Sequence, residues 1–248
     1  MKAVDLGDSV KSHVTLFALS LTLPLLFLTL AFSDDTDTPV SLPTPVLEVG
    51  EMTIKLPKAK YDSDVSLEES LFKRRSIRDY TDEPLTLEDV SQLLWAAQGL
   101  TSNWGGRTAP SAGALYPVEV YVIVGKVRDL ATGIYRYYPK RHEIVLIAKG
   151  DMRSDLAGAA LGQISLKNAA IDLVFIAVYG RTTRKYSDRG IQYVHMEIGH
   201  AAQNVCLQAT AMGLGAVTIG AFHDEEVRRL LKLPKEEGPL YIMPVGKR

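Results

Sequence analysis

The 248-residue sequence predicts an α+β fold, a mixed sheet packed by helices, on three observations. Runs rich in β-branched residues stand at 118–124 ("VEVYVIV") and 171–180 ("IDLVFIAVYG"), with a hairpin pattern, "GIYRYYP" and "HEIVLIA" about the turn "KR", between them. A stripe of period 3.6, Ile191, Val194, Ile198, Ala202, Val205 and Ala209, marks one long central helix over Arg189–Met212. Strands and helices interleave without a strict βαβ repeat, which separates this class from a doubly wound parallel sheet.

The elements follow in order. "SLEE" at 66–69 has a capping-box pattern, with Ser66 as N-cap, and opens a helix to about Arg74. "TLEDVSQLLWAAQGL" starts a second helix at Thr86, sets Val90, Leu93, Leu94 and Ala97 on one face and stops at Gly99. Trp95 on it reads as core. The run at 171–180 is apolar almost throughout and suits a strand covered on both faces. After the long helix come strands in "GAVTIGAF" and "LYIMPVG", with a helix at about 224–231 between them.

Residues 1–33 are of another kind. Val14–Phe32 holds nineteen residues without a charge, and at about 1.5 Å per residue such a helix crosses most of a hydrocarbon layer of roughly 30 Å. The segment reads as an uncleaved anchor, with a cleaved signal peptide as the alternative. Its few positive charges, Lys2 and Lys11, lie on the N-terminal side, which expects the remaining chain outside the cytoplasmic face, membrane-anchored or secreted. Residues 34–65, rich in proline and aspartate, read as a tether, and 66–248 as the folded domain.

Forty-six per cent apolar residues suffice for one sizeable core. A formal net charge of −1 gives no basic stripe, so no nucleic-acid partner is expected. The lone cysteine, Cys206, excludes an internal disulfide and any cysteine-only metal site. No metal is expected. Glu197 and His200, three apart on the long helix, read as a hydrogen-bonded core pair rather than as ligands, because no second ligand pair accompanies them.

Against that neutral background "FKRRSIRDY" concentrates charge. Arginines ending a helix complement its dipole, which accounts for Arg74 and Arg75 but not for Ser76 and Arg78. In an extended segment alternate side chains point the same way, so Arg74, Ser76 and Arg78 can converge. Two guanidinium forks and a hydroxyl suit a phosphate. A small-residue turn, Pro110–Ala114, precedes a strand and lets a planar ligand approach the backbone. "GLGAVTIGAF" repeats that logic around Gly220. Trp104, in the glycine-containing loop before Pro110, is placed to wall a substrate pocket.

"RRSIRDY", "APSAGALYPVEVYVIV", "RKYSDRGIQYVHMEIGHAAQNVCLQATAMGLGAVTIGAF" and "MPVGKR" together resemble the flavin-dependent nitroreductase superfamily, and within it the SagB-type (thiazole/oxazole-forming) dehydrogenase branch. The resemblance covers about 66–248. It implies an intertwined homodimer with FMN at each of two sites between the subunits. It assigns Arg74, Arg75, Ser76 and Arg78 to the flavin phosphate and pyrimidine edge, where a fixed cation at Arg78 stabilises the reduced ring. Pro110, Ser111, Ala112 and Gly113 match the loop that reaches the flavin from the partner subunit. Gly220 and Ala221 match the segment whose backbone faces flavin N5, and Lys247 and Arg248 a terminal basic pair near the phosphate. Lys185 and Tyr186 match the pair that removes a proton in the azoline-oxidising branch; the plain alternative is a solvated loop.

The leading expectation is an FMN-dependent oxidoreductase passing hydride from NAD(P)H to a small acceptor such as a nitroaromatic or quinone. No GxGxxG follows a strand, so a nicotinamide would bind transiently over the flavin. Two alternatives stay open: peptide azoline-to-azole dehydrogenation, and a membrane-tethered flavin-binding protein without turnover.

Overall fold

The computed structural model describes residues 52–248. Chain order is β1 (Thr53–Lys55), α1 (Leu67–Lys73), α2 (Leu87–Gln98), β2 (Val118–Val124), β3 (Gly133–Tyr138), β4 (Glu143–Lys149), α3 (Arg153–Ala159) and α4 (Ile164–Asn168), followed by β5 (Ile171–Val178), α5 (Gly180–Tyr186), α6 (Arg189–Ala211), β6 (Leu214–Ala216), α7 (Asp224–Leu231) and β7 (Glu237–Lys247). The seven strands form one sheet in the order β1-β4-β3-β2-β5-β7-β6. Each pairing of these strands is antiparallel, and one isolated bridge, Leu85 to Val127, is parallel. The class is α+β, as the interleaving predicts.

Helices cover both faces. Val90, Leu93, Leu94 and Ala97 of α2 and Val194, Ile198, Ala202 and Val205 of α6 pack on Leu173, Phe175 and Ala177 of β5. On the opposite face Leu156 of α3, Leu166 of α4 and Val227 and Leu231 of α7 pack on Val174 and Ile176. β5 is thus buried on both sides, which its continuous apolar run requires.

Local chemistry sets the helix starts. Ser66 Oγ accepts from the Glu69 N–H at 3.0 Å, while the Glu69 side chain turns away to Lys73, so only half of the expected capping box forms. Thr86 and Asp89 complete a reciprocal box on α2, at 3.1 and 3.0 Å. α6 stops where Gly213 takes φ +69°.

Two expectations need correction. The end of the predicted tether belongs to the domain: β1 pairs with β4, Leu56 and Ala59 are buried, and the Lys60 N–H donates to Gln92 Oε1 at 2.8 Å. Residues 34–51 lie outside the described residues. The membrane-anchored or secreted placement does not hold either, because among the described residues no helix is long and apolar enough to cross a membrane. The long helix α6 carries Arg189, His195, Glu197 and His200. Val14–Phe32, on which that expectation rested, lies outside the described residues.

Candidate active site

The arginine segment leaves α1 in extended form and is fastened to the sheet edge. Ile77 N–H donates to Ala216 O at 3.0 Å, Thr81 N–H to Lys247 O at 2.9 Å, and the Tyr80 hydroxyl to Ile77 O at 2.8 Å. Two glycines make room for this path. A Cβ on Gly246 would stand 2.9 Å from Tyr80 Cβ, and one on Gly215 2.7 Å from Ile77 Cγ2.

Fastening at 77, 80 and 81 leaves Arg75, Ser76 and Arg78 exposed and Arg74 half-buried. Among the described residues neither Arg74 nor Arg78 has an ion-pair partner, and Arg75 donates only to the carbonyls of Phe72 and Arg74. Arg74 also lies near Cys206 on α6, whose thiol burial pushes up and Arg74 draws back down. Of the terminal pair, Lys247 is held by Asp89 at 3.1 Å and Arg248 is exposed.

The second group gathers around Gly113. Its φ is +63°, and a Cβ there would lie 2.8 Å from Tyr186 Oη and 3.0 Å from Lys185 Nζ. The positive φ favours glycine, and a side chain here would have to push aside the ends of Lys185 and Tyr186. Pro110 is exposed and Ser111 and Ala112 half-buried, so this turn presents its main chain directly against the lysine–tyrosine pair. The pair sits on a helix, not in a solvated loop. α5 has no capping side chain and ends at Ser187 with φ +49°, so no local signature announces it. Lys185 Nζ stands over the Tyr186 ring at 5.4 Å, and that ring meets Tyr193 edge-on at 5.2 Å.

Beneath the turn lies a group the sequence assigned elsewhere. Glu197 is 2% exposed, whereas His200 points to solvent, so the expected core pair does not form. Burial pushes the Glu197 carboxyl up to about 7, against opposing effects from the Ser111 hydroxyl and the Arg107 guanidinium. Ser111 Oγ accepts from the Tyr116 N–H at 2.9 Å, which leaves its own proton for the carboxylate. Arg107 donates to Gln98 Oε1 at 2.8 Å. The one signal available was Gln98, a polar residue on the apolar stripe of α2.

Gly220 and Ala221 are exposed, just past the Ile219–Ile242 bridge. Trp104, expected to wall a pocket, is 75% exposed. Arg74 meets α6 at Cys206 and Ser111 meets it at Glu197, positions separated along the axis by about 13 Å at 1.5 Å per residue. Within one chain, then, the arginine segment and the small-residue turn are separate stations.

Comparison with known proteins gives the class first. Similar proteins include the NADPH-flavin oxidoreductase of Vibrio harveyi, 27% identical over 186 residues that cover 72% of this chain and 64% of that protein. This chain is an oxidoreductase. More particularly, the Nitroreductase family profile matches residues 71–247, and the chain belongs to that family. A Methanocaldococcus jannaschii protein provisionally named a nitroreductase is 50% identical over 197 residues, 79% of this chain and 97% of that one. A crystal structure from Ralstonia eutropha, under the same provisional name, superposes with TM-score 0.71 at 32% identity over 84% of this chain and 94% of that one. More distant relatives include the Microcin B17-processing protein McbC of Escherichia coli, 27% identical over 148 residues, 56% of this chain and 54% of that one.

Proposed function

We propose that this chain is an FMN-dependent oxidoreductase that carries hydride from NADPH or NADH to a small organic acceptor such as a nitroaromatic or quinone. The observation that carries the reading is the arginine segment. Guanidiniums without counter-ions among the described residues, beside an exposed hydroxyl and on a strand-like stretch pinned at 77, 80 and 81, form a preorganised donor set for a phosphomonoester. The residues present therefore fit the flavin tail. Arg74, Arg75 and Ser76 would hold the phosphate and Arg78 the pyrimidine edge, with Gly220 and Ala221 offering exposed main chain to the ring. Lys247 would have to leave Asp89 to join them.

When bound, FMN supplies reversible two-electron uptake; the chain binds and orients the reactants and moves protons. Pro110–Gly113 would come from a second copy, since its own arginine segment is a different station. A homodimer accords with the apolar side chains that α1 leaves in solvent, Leu71 at 53% and Phe72 at 78% exposed.

The contact of Lys185 and Tyr186 with Gly113 favours one further reading, azoline oxidation on a peptide, in which this pair takes the substrate proton. Purified protein is expected to be yellow and to bleach when titrated anaerobically with NADPH or NADH. Folded protein that is colourless and takes up no FMN would overturn the proposal. Offered azoline peptides, the same preparation decides the second reading by loss of two hydrogens per ring in the mass spectrum.

A further inference from the structure

A cleft of about 580 Å³ opens beside the Pro110–Gly113 turn, lined by Ala114, Leu115 and Tyr116 as the chain leaves it. Five cations face this space, Arg107, Arg136, Lys140, Arg141 and Arg181, and Glu119 is the carboxylate on its wall. Three ion-pair sets account for part of that charge. Arg181 binds Glu119, Arg136 lies 3.5 Å from Glu119 and 3.8 Å from Glu237, and Arg141 binds Glu143. Arg107 and Lys140 have no ion-pair partner among the described residues. Burial pushes the Glu237 carboxyl up, while the Arg136 guanidinium beside it draws it back down.

Arg107 is a fixed cation. Its guanidinium stacks on Tyr116 at 4.4 Å and is tied to Gln98, and its Nε is buried without a partner among the described residues. Cations held by stacking lose little further freedom when they bind an oxyanion. From Gly113 to Tyr116 the chain spans at most about 11 Å, at roughly 3.6 Å per residue. A ligand of small-molecule length can therefore touch Lys185–Tyr186 with one end and this cleft with the other.

Resting on the redox reading above, we infer that this cleft recognises an oxyanion of a reaction partner: the 2′-phosphate of NADPH or the carboxylate of the acceptor. Two variants test it in the flavin-loaded enzyme. Lys140→Glu reverses an exposed charge whose side chain has no hydrogen bond or ion pair among the described residues, and Arg107→Met removes the stacked cation; should the latter fail to fold, the former still decides. The ratio of kcat/KM for para-nitrobenzoate over nitrobenzene, or for NADPH over NADH, is expected to fall roughly tenfold, as for loss of one charge-assisted contact. Whichever ratio falls names the source. Calorimetric titration of NADP⁺ and para-nitrobenzoate into the same variants should show the matching loss of binding. Unchanged ratios on both arms, or equal losses with neutral and anionic partners, reject the cleft as a recognition site. A wild-type protein without a flavin band would instead reject the reading beneath it, and the calorimetry would still report on the cleft.

Discussion

Two buried acids carry charge chemistry into the interior. Asp172 on β5 is wholly buried, both carboxylate oxygens lack partners among the described residues, and burial pushes its carboxyl well above the ordinary range. Glu197 rises from 4.5 to about 7 for the same reason. Each holds its proton more tightly folded than unfolded. For Glu197 the resulting stabilisation is complete below about 4.5 and disappears as pH climbs through about 7. Glu197→Gln should remove that dependence. Between pH 4.5 and 8 the natural protein is expected to lose on the order of 3 kcal/mol more stability than the variant. Denaturant melts at a series of pH values measure this, and parallel curves for the two proteins would show that the carboxyl titrates normally.

At the scale of elements, the arginine segment depends on β7. Because Tyr80 lies across Gly246, the substitution Gly246→Ala drives a methyl into the base of that ring and must shift the stretch from 77 to 81. A loss of about 1–3 kcal/mol is expected in thermal melts, as for other overpacked sites. FMN affinity should fall with it in a fluorescence titration, while Gly158→Ala, with open space around it, serves as the control. The main elements were legible because their signals are local: the apolar stripe of α6, the Thr86–Asp89 box, the unbroken apolar run of β5. β1, α3, α4 and α5 were not, because tertiary contacts hold them. Arg153, for example, anchors the start of α3 to the Ala169 carbonyl at 2.6 Å. The site divides the same way. Small residues at 110–113 announce a close approach, but nothing in a linear reading brings Gly113 to Tyr186, which lies on a later helix.

Among the described residues, the molecule leaves apolar side chains exposed. Leu67, Leu71 and Phe72 on α1 and Ile191 and Met196 on α6 are each more than 40% exposed, and the two helices pack on one another. If a second copy covers them, light scattering should give twice the chain mass, and Phe72→Glu should yield a monomer that no longer retains FMN. A dimeric Phe72→Glu protein with its flavin intact would place the subunit contact elsewhere. The strand order carries one more consequence. Its two outermost members, β1 and β6, are each three residues long, and Ile77 already occupies a carbonyl of β6. Borders so brief offer almost no free ladder for another polypeptide to extend, which disfavours edge-to-edge pairing through the described sheet.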